Sequence, residues 1–321
     1  MVTPLEDTPA AAIGLLANDQ IVAIESKSTE KMKLTEAIKL LKGKPGTKVT
    51  ISIYRPSSEN TFDVTITRAV IHIKSVKNVS VNEDKIGYIR ITQFGAETST
   101  LLAKALNDLD RKGAEALVLD LRNNPGGLLD SAVEVSSLFL PKGKLVVFTE
   151  GRDKIQKQEF FSGNGRKHSE YPMAILVNGG SASAAEIVSG CLQDYERAIL
   201  IGEKTFGKGS VQTVVQLPDY SAIRLTTAKY YTPSKKIIHN HGIEPNIKIE
   251  ISNEIAVKLA IQRSRPKEMK LPEGEEVIED VQLKRAFEAI KECKIMNSDR
   301  INKYREIVKK YEIKDPKIEE K

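Results

Sequence analysis

Short apolar-rich runs, each ending at a polar or glycine-containing segment, recur through the middle of the chain. Residues 116–121 and 174–177 are almost continuously apolar, and Ile86–Ile91 has a similar β-branched character. Runs of this length and composition are typical of buried strands. Apolar residues at helical spacing occur at 98–109 and 128–140, so strands and helices alternate. The pattern predicts an α/β core built on a mixed sheet with helices.

The first 70 residues show a different arrangement, with strand signals on both sides of one helix. Residues 21–24, 49–53 and 62–66 have the apolar content or alternation of strands, and Leu34–Leu41 has apolar residues at helical spacing. Residues 1–70 are therefore predicted to form a small α+β domain that precedes the core.

Composition changes after the core, which we place at residues 71–252. Nearly half of the residues from Asn253 to Lys321 are charged, against 29% in the whole chain, and both signs are mixed. Three helical patterns are visible there, at 255–263, 281–291 and 300–311. Residues 253–321 are predicted to be a charged helical extension whose helices pack on the core or on a second subunit.

Two polar stretches are predicted to lack regular structure. Residues 69–84 are interpreted as a linker into the core, and residues 151–169 as an exposed loop beside a cleft. Strand signals at 144–150 and 222–228 lie outside both stretches. On this interpretation neither stretch contributes a strand to the core.

Composition and charge narrow the functional classes. A hydrophobic content of 40% with 29% charged residues is ordinary for a soluble globular protein, and the net charge of +6 is spread along the chain without aromatic interleaving. We therefore expect no nucleic-acid partner. No run approaches the roughly 18 apolar residues of a membrane span, so no span is predicted.

The cysteines and histidines offer few candidates for chemistry. Cys191 and Cys293 are too few for a disulfide framework and too far apart for a metal site, and Cys191 is predicted to be a core residue. His239 and His241 have the spacing of a metal pair on a strand, but no third ligand is near them in the sequence. We predict no metal site and place both histidines in a surface loop.

A serine stands where a predicted strand turns into a helix. Asn178, Gly179 and Gly180 end the strand at 174–177, and the small residues 181–185 lead into a helical pattern. The first-turn amides and the positive end of a helix dipole favour negative charge, as an oxyanion formed during acyl transfer requires. A serine of this stretch is therefore a candidate nucleophile.

A nucleophilic serine needs a base, and none of the four histidines lies in a glycine-rich or strand-end setting. Lys208 does, because it stands between Gly207 and Gly209 with apolar runs at 198–201 and 211–215 on either side. The apolar runs predict that Lys208 is embedded, and burial would favour the neutral amine that a general base requires. A lysine on a solvent-exposed loop, without a catalytic role, is the alternative.

These two segments together resemble the carboxyl-terminal processing peptidases, or tail-specific proteases, of peptidase family S41. GSASAAEI at 180–187 and GEKTFGKGSVQ at 202–212 match the family's motifs, and the serine-to-lysine separation of 25 residues matches as well. The resemblance implies that Ser183 is the nucleophile, Lys208 the general base and Gln212 the residue that orients the lysine.

A third matching segment, DLRNNPGG at 120–127, bears on the oxyanion hole. In the family a glycine amide of this segment supplies one of the two donors. The resemblance therefore assigns that role to Gly126 or Gly127, with the backbone N–H of Ala184 as the second donor. Glycines that only make a tight turn are the alternative.

Three positions depart from the family's pattern. Ala185, Lys235 and Asn246 stand where the family commonly has serine, glycine and aspartate. None of them belongs to the implied dyad or to the implied oxyanion hole.

The N-terminal region resembles a PDZ domain that lacks its N-terminal part. Residues 3–24 and 34–68 match the later portion of that module. Such domains take an extended peptide as an added strand beside a helix, so the groove would lie between residues 1–5 and Leu34–Leu41. A small domain without a ligand is the alternative.

The resemblance implies a serine endopeptidase that cleaves unfolded or tail-recognised polypeptides near their carboxyl termini through an acyl-enzyme, without a cofactor. Its partners would be polypeptides with accessible carboxyl-terminal tails, a homo-oligomer is allowed, and its location would be the cell envelope or periplasm. No signal segment opens the chain, so we expect a fragment or a mis-started reading frame.

Two rival interpretations remain. An α/β-hydrolase esterase requires a G-x-S-x-G elbow, which residues 180–184 lack. A catalytically idle scaffold that only binds peptides would have no use for a lysine between two glycines.

Overall fold

The described part of the chain divides into two compact units. The computed structural model describes residues 8–15, 19–56, 58–71, 74–151, 157–163, 172–218, 221–264, 277–295 and 300–312. The first unit takes in residues of 1–73 and 251–279, and the second takes in residues of 74–250 and 280–321. All of the candidate site residues lie in the second unit.

Strands and helices occupy most of the described residues. The strands are β1 (Gln20–Ile24), β2 (Lys27–Ser28), β3 (Lys48–Arg55), β4 (Asn60–Thr67), β5 (Val76–Val81), β6 (Ile86–Ile91), β7 (Ala116–Asp120), β8 (Leu145–Gly151), β9 (Gln158–Phe161), β10 (Met173–Val177), β11 (Ile199–Gly202), β12 (Ser210–Gln216), β13 (Ala222–Tyr231) and β14 (Ile247–Lys248). The helices are α1 (Pro9–Ala12), α2 (Leu34–Leu41), α3 (Thr98–Arg111), α4 (Leu129–Ser137), α5 (Ala184–Asp194), α6 (Asn253–Ser264), α7 (Val281–Ile295) and α8 (Arg300–Glu312).

The first unit is built on a four-stranded antiparallel sheet with the strand order β2-β1-β3-β4. Alternation along β3 places Val49, Ile51 and Ile53 on one face, where all three are buried. The helix α2 packs beside β1. The strands and the helix predicted between residues 20 and 67 are thus confirmed, whereas residues 1–5, one side of the expected groove, lie outside the described residues.

The second unit is organised on a six-stranded mixed sheet with the order β14-β11-β10-β7-β6-β5. The strands β6, β7, β10, β11 and β14 are parallel, and β5 pairs antiparallel with β6 at the edge. The prediction of a linker over 69–84 was wrong, because Val76–Val81 forms this edge strand. Its apolar residues alternate with exposed polar ones, so the segment resembles a polar linker in sequence.

Helices cover both faces of this sheet. On one face α3, α4 and α5 pack over buried residues such as Leu119 and Ile175. On the other face α7 and α8 pack with Ala289 and Ile307 among the buried residues. The charged C-terminal helices α7 and α8 therefore pack on the core of their own chain, which was the first of the two predicted alternatives. Two covered faces explain why the central strands are apolar throughout.

A second, antiparallel sheet with the order β12-β13-β8-β9 completes this unit. The loop predicted over 151–169 was wrong in part, because Gln158–Phe161 is the edge strand β9. The rest of that prediction at 152–156 and 164–169 lies outside the described residues. The strand β12 begins directly after the glycine-rich loop 206–209, so this sheet positions the candidate lysine.

No helix within the described ranges is both long enough and apolar enough to cross a membrane.

Candidate active site

Two strand-to-helix turns meet at the carboxyl edge of the six-stranded sheet. The strands β7 and β10 are adjacent and parallel, with Asp120 opposite Leu176, so the turns that follow them leave the sheet side by side. The Ala182 N–H donates to the Asn124 carbonyl at 2.9 Å, which ties one turn to the other. The carboxyl edge of a parallel sheet is the usual location of α/β active sites.

Gly126 brings the first turn against the second. It has a φ of +93°, and a Cβ added to it would lie 2.6 Å from the Ala182 oxygen and 2.9 Å from the Ala184 nitrogen. Only glycine fits this backbone conformation and this approach. Glycine at position 126 is therefore required by the close packing of the two turns and not only by the turn itself.

The backbone N–H groups of Gly126 and Gly127 differ in whether they donate a hydrogen bond. The Gly126 N–H donates to Asn124 Oδ1 at 2.8 Å. The Gly127 N–H makes no hydrogen bond to any described residue, and Gly127 is exposed. Of the two alternatives that the sequence left open, Gly127 is the one with an available donor in this arrangement.

Ser183 occupies the sharp corner between β10 and α5. Its φ of +55° and ψ of −114° are unusual for a residue with a side chain, and it is half-buried. A conformation of this kind costs on the order of 1–3 kcal/mol and persists where surrounding contacts fix it. The Ala184 N–H, which follows at the first position of α5, has no acceptor among the described residues. A strained serine thus adjoins a free helix N-terminal donor.

Lys208 is exposed, so the prediction that it would be embedded was wrong. The apolar runs beside it belong to β11 and β12, and the buried residues of the loop are Gly207 and Gly209. A Cβ added to Gly209 would lie 2.3 Å from the His239 nitrogen, so the loop backbone is packed while the lysine side chain is in solvent. No hydrogen bond joins Lys208 to Ser183 within the described chain.

Gln212 lies on β12 and is exposed. It pairs with Thr226 directly after a register shift between Val211 and Gln212, which is a local bulge in the hairpin. Its side chain has no hydrogen bond to Lys208 among the described residues. The structure therefore brings the Ser183 turn, the glycine turn and the Lys208 loop together, but not the Gln212 side chain.

Glu186 is a site residue that the sequence reasoning missed, since it was treated only as part of a helical pattern. Its side chain is fully buried, and its carboxylate accepts hydrogen bonds from the Ser183 and Lys208 amides, both at 2.8 Å. The signal was available, because Ser183 and Glu186 have the S-x-x-E spacing of a capping box.

A buried ion cluster stands directly before the glycine turn. Arg122 is fully buried, and its guanidinium contacts Asp120 at 2.7 Å and Asp280 at 2.8 Å. Burial acts to lower the pKa of Arg122, but the two carboxylates outweigh it and raise the pKa. Tyr88 also donates to Asp120 at 2.7 Å, and burial followed by the charge of Asp120 raises the pKa of that phenol. The cluster fixes the end of β7 where the turn begins.

The candidate thiol lies apart from this chemistry. Cys191 is fully buried on α5, and burial followed by the charge of Asp194 raises the pKa of its thiol. The prediction that Cys191 is a core residue is confirmed. No group of three or more potential ligands for a metal ion is present in the described ranges. His72 and His168 lie outside the described residues.

Comparison with known proteins shows that two family models match this chain. The model of peptidase family S41 matches residues 85–249, and a PDZ domain model matches residues 2–55. Both matches agree with the resemblances found in the sequence.

Curated relatives and a solved structure are similar over most of this chain. The carboxy-terminal-processing protease of Bartonella bacilliformis is 44% identical over 254 residues, and the carboxy-terminal processing protease CtpA of Bacillus subtilis is 39% identical over 254 residues. Each alignment covers 78% of this chain but only 58% and 53% of those relatives. A photosystem II D1 C-terminal processing protease superposes with a TM-score of 0.60 at 31% identity, over 78% of this chain and 68% of that one.

Proposed function

The chain belongs to peptidase family S41, and we propose that it is a serine endopeptidase that cleaves unfolded or tail-recognised polypeptides near their carboxyl termini. One observation supports this most directly. The strained Ser183 adjoins the free Ala184 N–H, faces the turn of Gly126 and Gly127, and shares a carboxylate partner with the Lys208 loop. A nucleophile, an oxyanion donor and a base-bearing loop are thus adjacent.

The proposed reaction begins with proton transfer from the Ser183 hydroxyl to the neutral amine of Lys208. Ser183 Oγ then forms a bond to the scissile carbonyl carbon, and the developing oxyanion accepts hydrogen bonds from the Ala184 and Gly127 amides. The carbon–nitrogen bond breaks and the leaving amine takes the proton from Lys208. Water activated by Lys208 hydrolyses the acyl-enzyme and restores the serine.

Lys208 must change its surroundings to act as this base. In this arrangement its side chain is exposed and makes no hydrogen bond to Ser183 among the described residues. A polypeptide lying across the loop would exclude water from the amine, and desolvation favours its neutral form. We propose that Gln212, four residues farther along β12, orients the lysine in that substrate-bound arrangement.

The proposed substrates are polypeptides with accessible carboxyl-terminal tails. The relatives named above are carboxy-terminal-processing proteases, which supports this class. The PDZ-like residues would take the tail as an added strand, by the general mode of such domains. We further propose an extracytoplasmic location, which rests on the family resemblance. We also propose domain boundaries near residues 70 and 252, which rest on the changes of pattern and composition along the sequence.

The experiment compares cleavage of denatured casein by the wild-type chain, Ser183→Ala, Lys208→Ala and Lys204→Ala. Lys204 is the matched control, because it is an exposed lysine of the same connection and its ion pair is with Glu244 at 2.7 Å. We expect cleavage by the wild type and by Lys204→Ala only. Cleavage by all four proteins would contradict the dyad, and no cleavage by the wild type would contradict the proposed activity.

A fluorophosphonate that labels activated serines provides a readout without a peptide. The label should attach to Ser183 in the wild type and far more slowly in Lys208→Ala. Hydrolysis of a simple ester with no cleavage of casein would instead favour the esterase interpretation.

A further inference from the structure

We propose that Glu186 is a positioning residue that holds the Ser183 turn and the Lys208 loop at a fixed main-chain separation, so that rotation of the Lys208 side chain alone completes the dyad. This inference deepens the proposed function and rests on it. Glu186 does not take part in the reaction directly, because its buried side chain has no access to substrate.

The hydrogen bonds of Glu186 join two segments. Its Oε2 atom accepts from the N–H of Ser183 and from the N–H of Lys208, both at 2.8 Å. Its Oε1 atom accepts from the Thr205 hydroxyl at 2.6 Å and from the Gly207 N–H at 2.7 Å. One carboxylate therefore bonds the serine turn and three residues of the lysine loop.

This arrangement sets a limit on the distance between the two candidate catalytic residues. The Ser183 and Lys208 nitrogens lie at equal distances from one oxygen atom, so they are separated by no more than twice 2.8 Å. A lysine side chain has a flexible four-carbon stem and can span such a gap by rotation. The exposed position of Lys208 is thus compatible with a main chain that is already in place.

A buried carboxylate such as that of Glu186 is not needed merely to cap α5. A fully buried carboxylate is costly unless hydrogen bonds replace its water, and within the described residues no basic side chain pairs with it. Four donors and the positive end of α5 meet that requirement. A neutral hydroxyl at the start of the helix would cap it without a buried charge.

The network extends beyond the two loops through Thr205. The Thr205 hydroxyl donates to Glu186 and accepts from the Ile243 N–H at 2.7 Å, and the Thr205 N–H donates to the Ile243 carbonyl at 3.1 Å. Segment 242–243 is therefore bonded to the same carboxylate through one hydroxyl. Thr205→Val, which keeps the shape and removes the hydroxyl, weakens this network without touching Glu186.

The test compares Glu186→Gln with Asp194→Asn in the full chain. Both changes replace a carboxylate by an amide on α5. Asp194 is at the other end of the helix, where its nearly buried side chain accepts from the Ser234 N–H at 2.8 Å and from Lys236 at 3.1 Å. The amide of Glu186→Gln presents N–H groups toward N–H donors, so part of the network must open.

Four quantities are measured for each variant: kcat and KM on a peptide substrate, the rate of fluorophosphonate labelling at Ser183, and amide hydrogen exchange at residues 183, 207 and 208. For Glu186→Gln we expect kcat and labelling to fall about 100-fold with KM within about twofold, because a small misplacement of reacting groups has this effect. We expect exchange at the three amides to rise by at least about tenfold. Asp194→Asn should change none of these, and Thr205→Val should be intermediate.

The outcomes separate this inference from the proposed function. Unchanged exchange at residues 183, 207 and 208 in Glu186→Gln overturns the positioning role whatever the activity. Equal losses of kcat in Glu186→Gln and Asp194→Asn also overturn it, because they show a general effect of destabilising α5. If the wild type cleaves no peptide, the proposed function fails while the exchange measurement still decides whether Glu186 fixes the two segments.

Discussion

A Cβ built on Gly126 would stand 2.7 Å from the Cβ of Ser183. Two turns that follow different strands are therefore in contact at the proposed nucleophile. The position of the serine depends on the absence of a side chain in the neighbouring turn as well as on its own corner conformation.

Gly126→Ala should both destabilise the protein and slow labelling of Ser183. The φ of +93° costs alanine about 1–2 kcal/mol, and the contacts with the serine turn add about 1–3 kcal/mol of strain. Gly143→Ala is the matched control, because Gly143 has a φ of +78° and no atom within 4 Å of an added Cβ. Urea unfolding and fluorophosphonate labelling measure the two effects. Equal losses of stability in both variants would contradict the close approach.

Arg122→Met should be strongly destabilising, by about 3–5 kcal/mol, because it leaves the carboxylates of Asp120 and Asp280 without their buried partner. Arg111→Met is the control, since the ion pair of Arg111 with Asp108 is exposed, and exposed pairs contribute about 0–1 kcal/mol. Denaturant midpoints of the full chain measure both changes. Similar small shifts for the two arginines would show that the buried cluster contributes little.

Lys235→Gly should stabilise the protein by about 0.5–1 kcal/mol. Lys235 has a φ of +69°, a left-handed conformation that glycine adopts without steric cost. The family resemblance described in the sequence analysis likewise implies glycine at this position. Lys142→Gly, at an exposed turn position without positive φ, should be neutral or destabilising. A loss of thermal stability in both variants would contradict the argument from backbone conformation.

The stability difference between the wild type and Glu115→Gln should depend on pH. Hydrogen bonds from Lys294 and then Lys85 lower the pKa of Glu115 from its ordinary 4.5 to about 2. Since the folded protein has the lower pKa, the contribution is fully present above about pH 4.5 and is lost as pH falls toward 2. Because the site is exposed, added salt should reduce it. A difference that stays constant from pH 6 to about 2 would contradict this linkage.

The sequence was sufficient for the α/β core and for the order of its main elements. The strands at 116–121 and 174–177 are apolar almost throughout, which directly records their burial on both faces. The helix Leu34–Leu41 was predicted from its apolar spacing, although none of its residues is buried. Edge strands lack this strong apolar signal, because one side of an edge strand faces solvent. For this reason Val76–Val81 and Gln158–Phe161 were assigned to irregular segments.

The candidate site was less predictable at the level of side chains. Flanking apolar runs suggested a buried Lys208, but those runs bury the strands that support the loop and leave the lysine exposed. Periodicity also gave Glu186 the appearance of an ordinary helical residue. Its role depends on the Gly207 and Lys208 amides, which approach it only in the folded chain.

The Arg122–Asp280 contact joins residues 158 positions apart in the sequence, and α7 and α8 close the second face of the sheet. Domains generally fold as units while the chain is still being synthesised, and contacts of such long range form late. A nascent chain that has emerged only as far as Lys208 already contains the proposed dyad, but one face of its sheet is open. The order of synthesis thus delays the covering of this face of the sheet until α7 and α8 have left the ribosome.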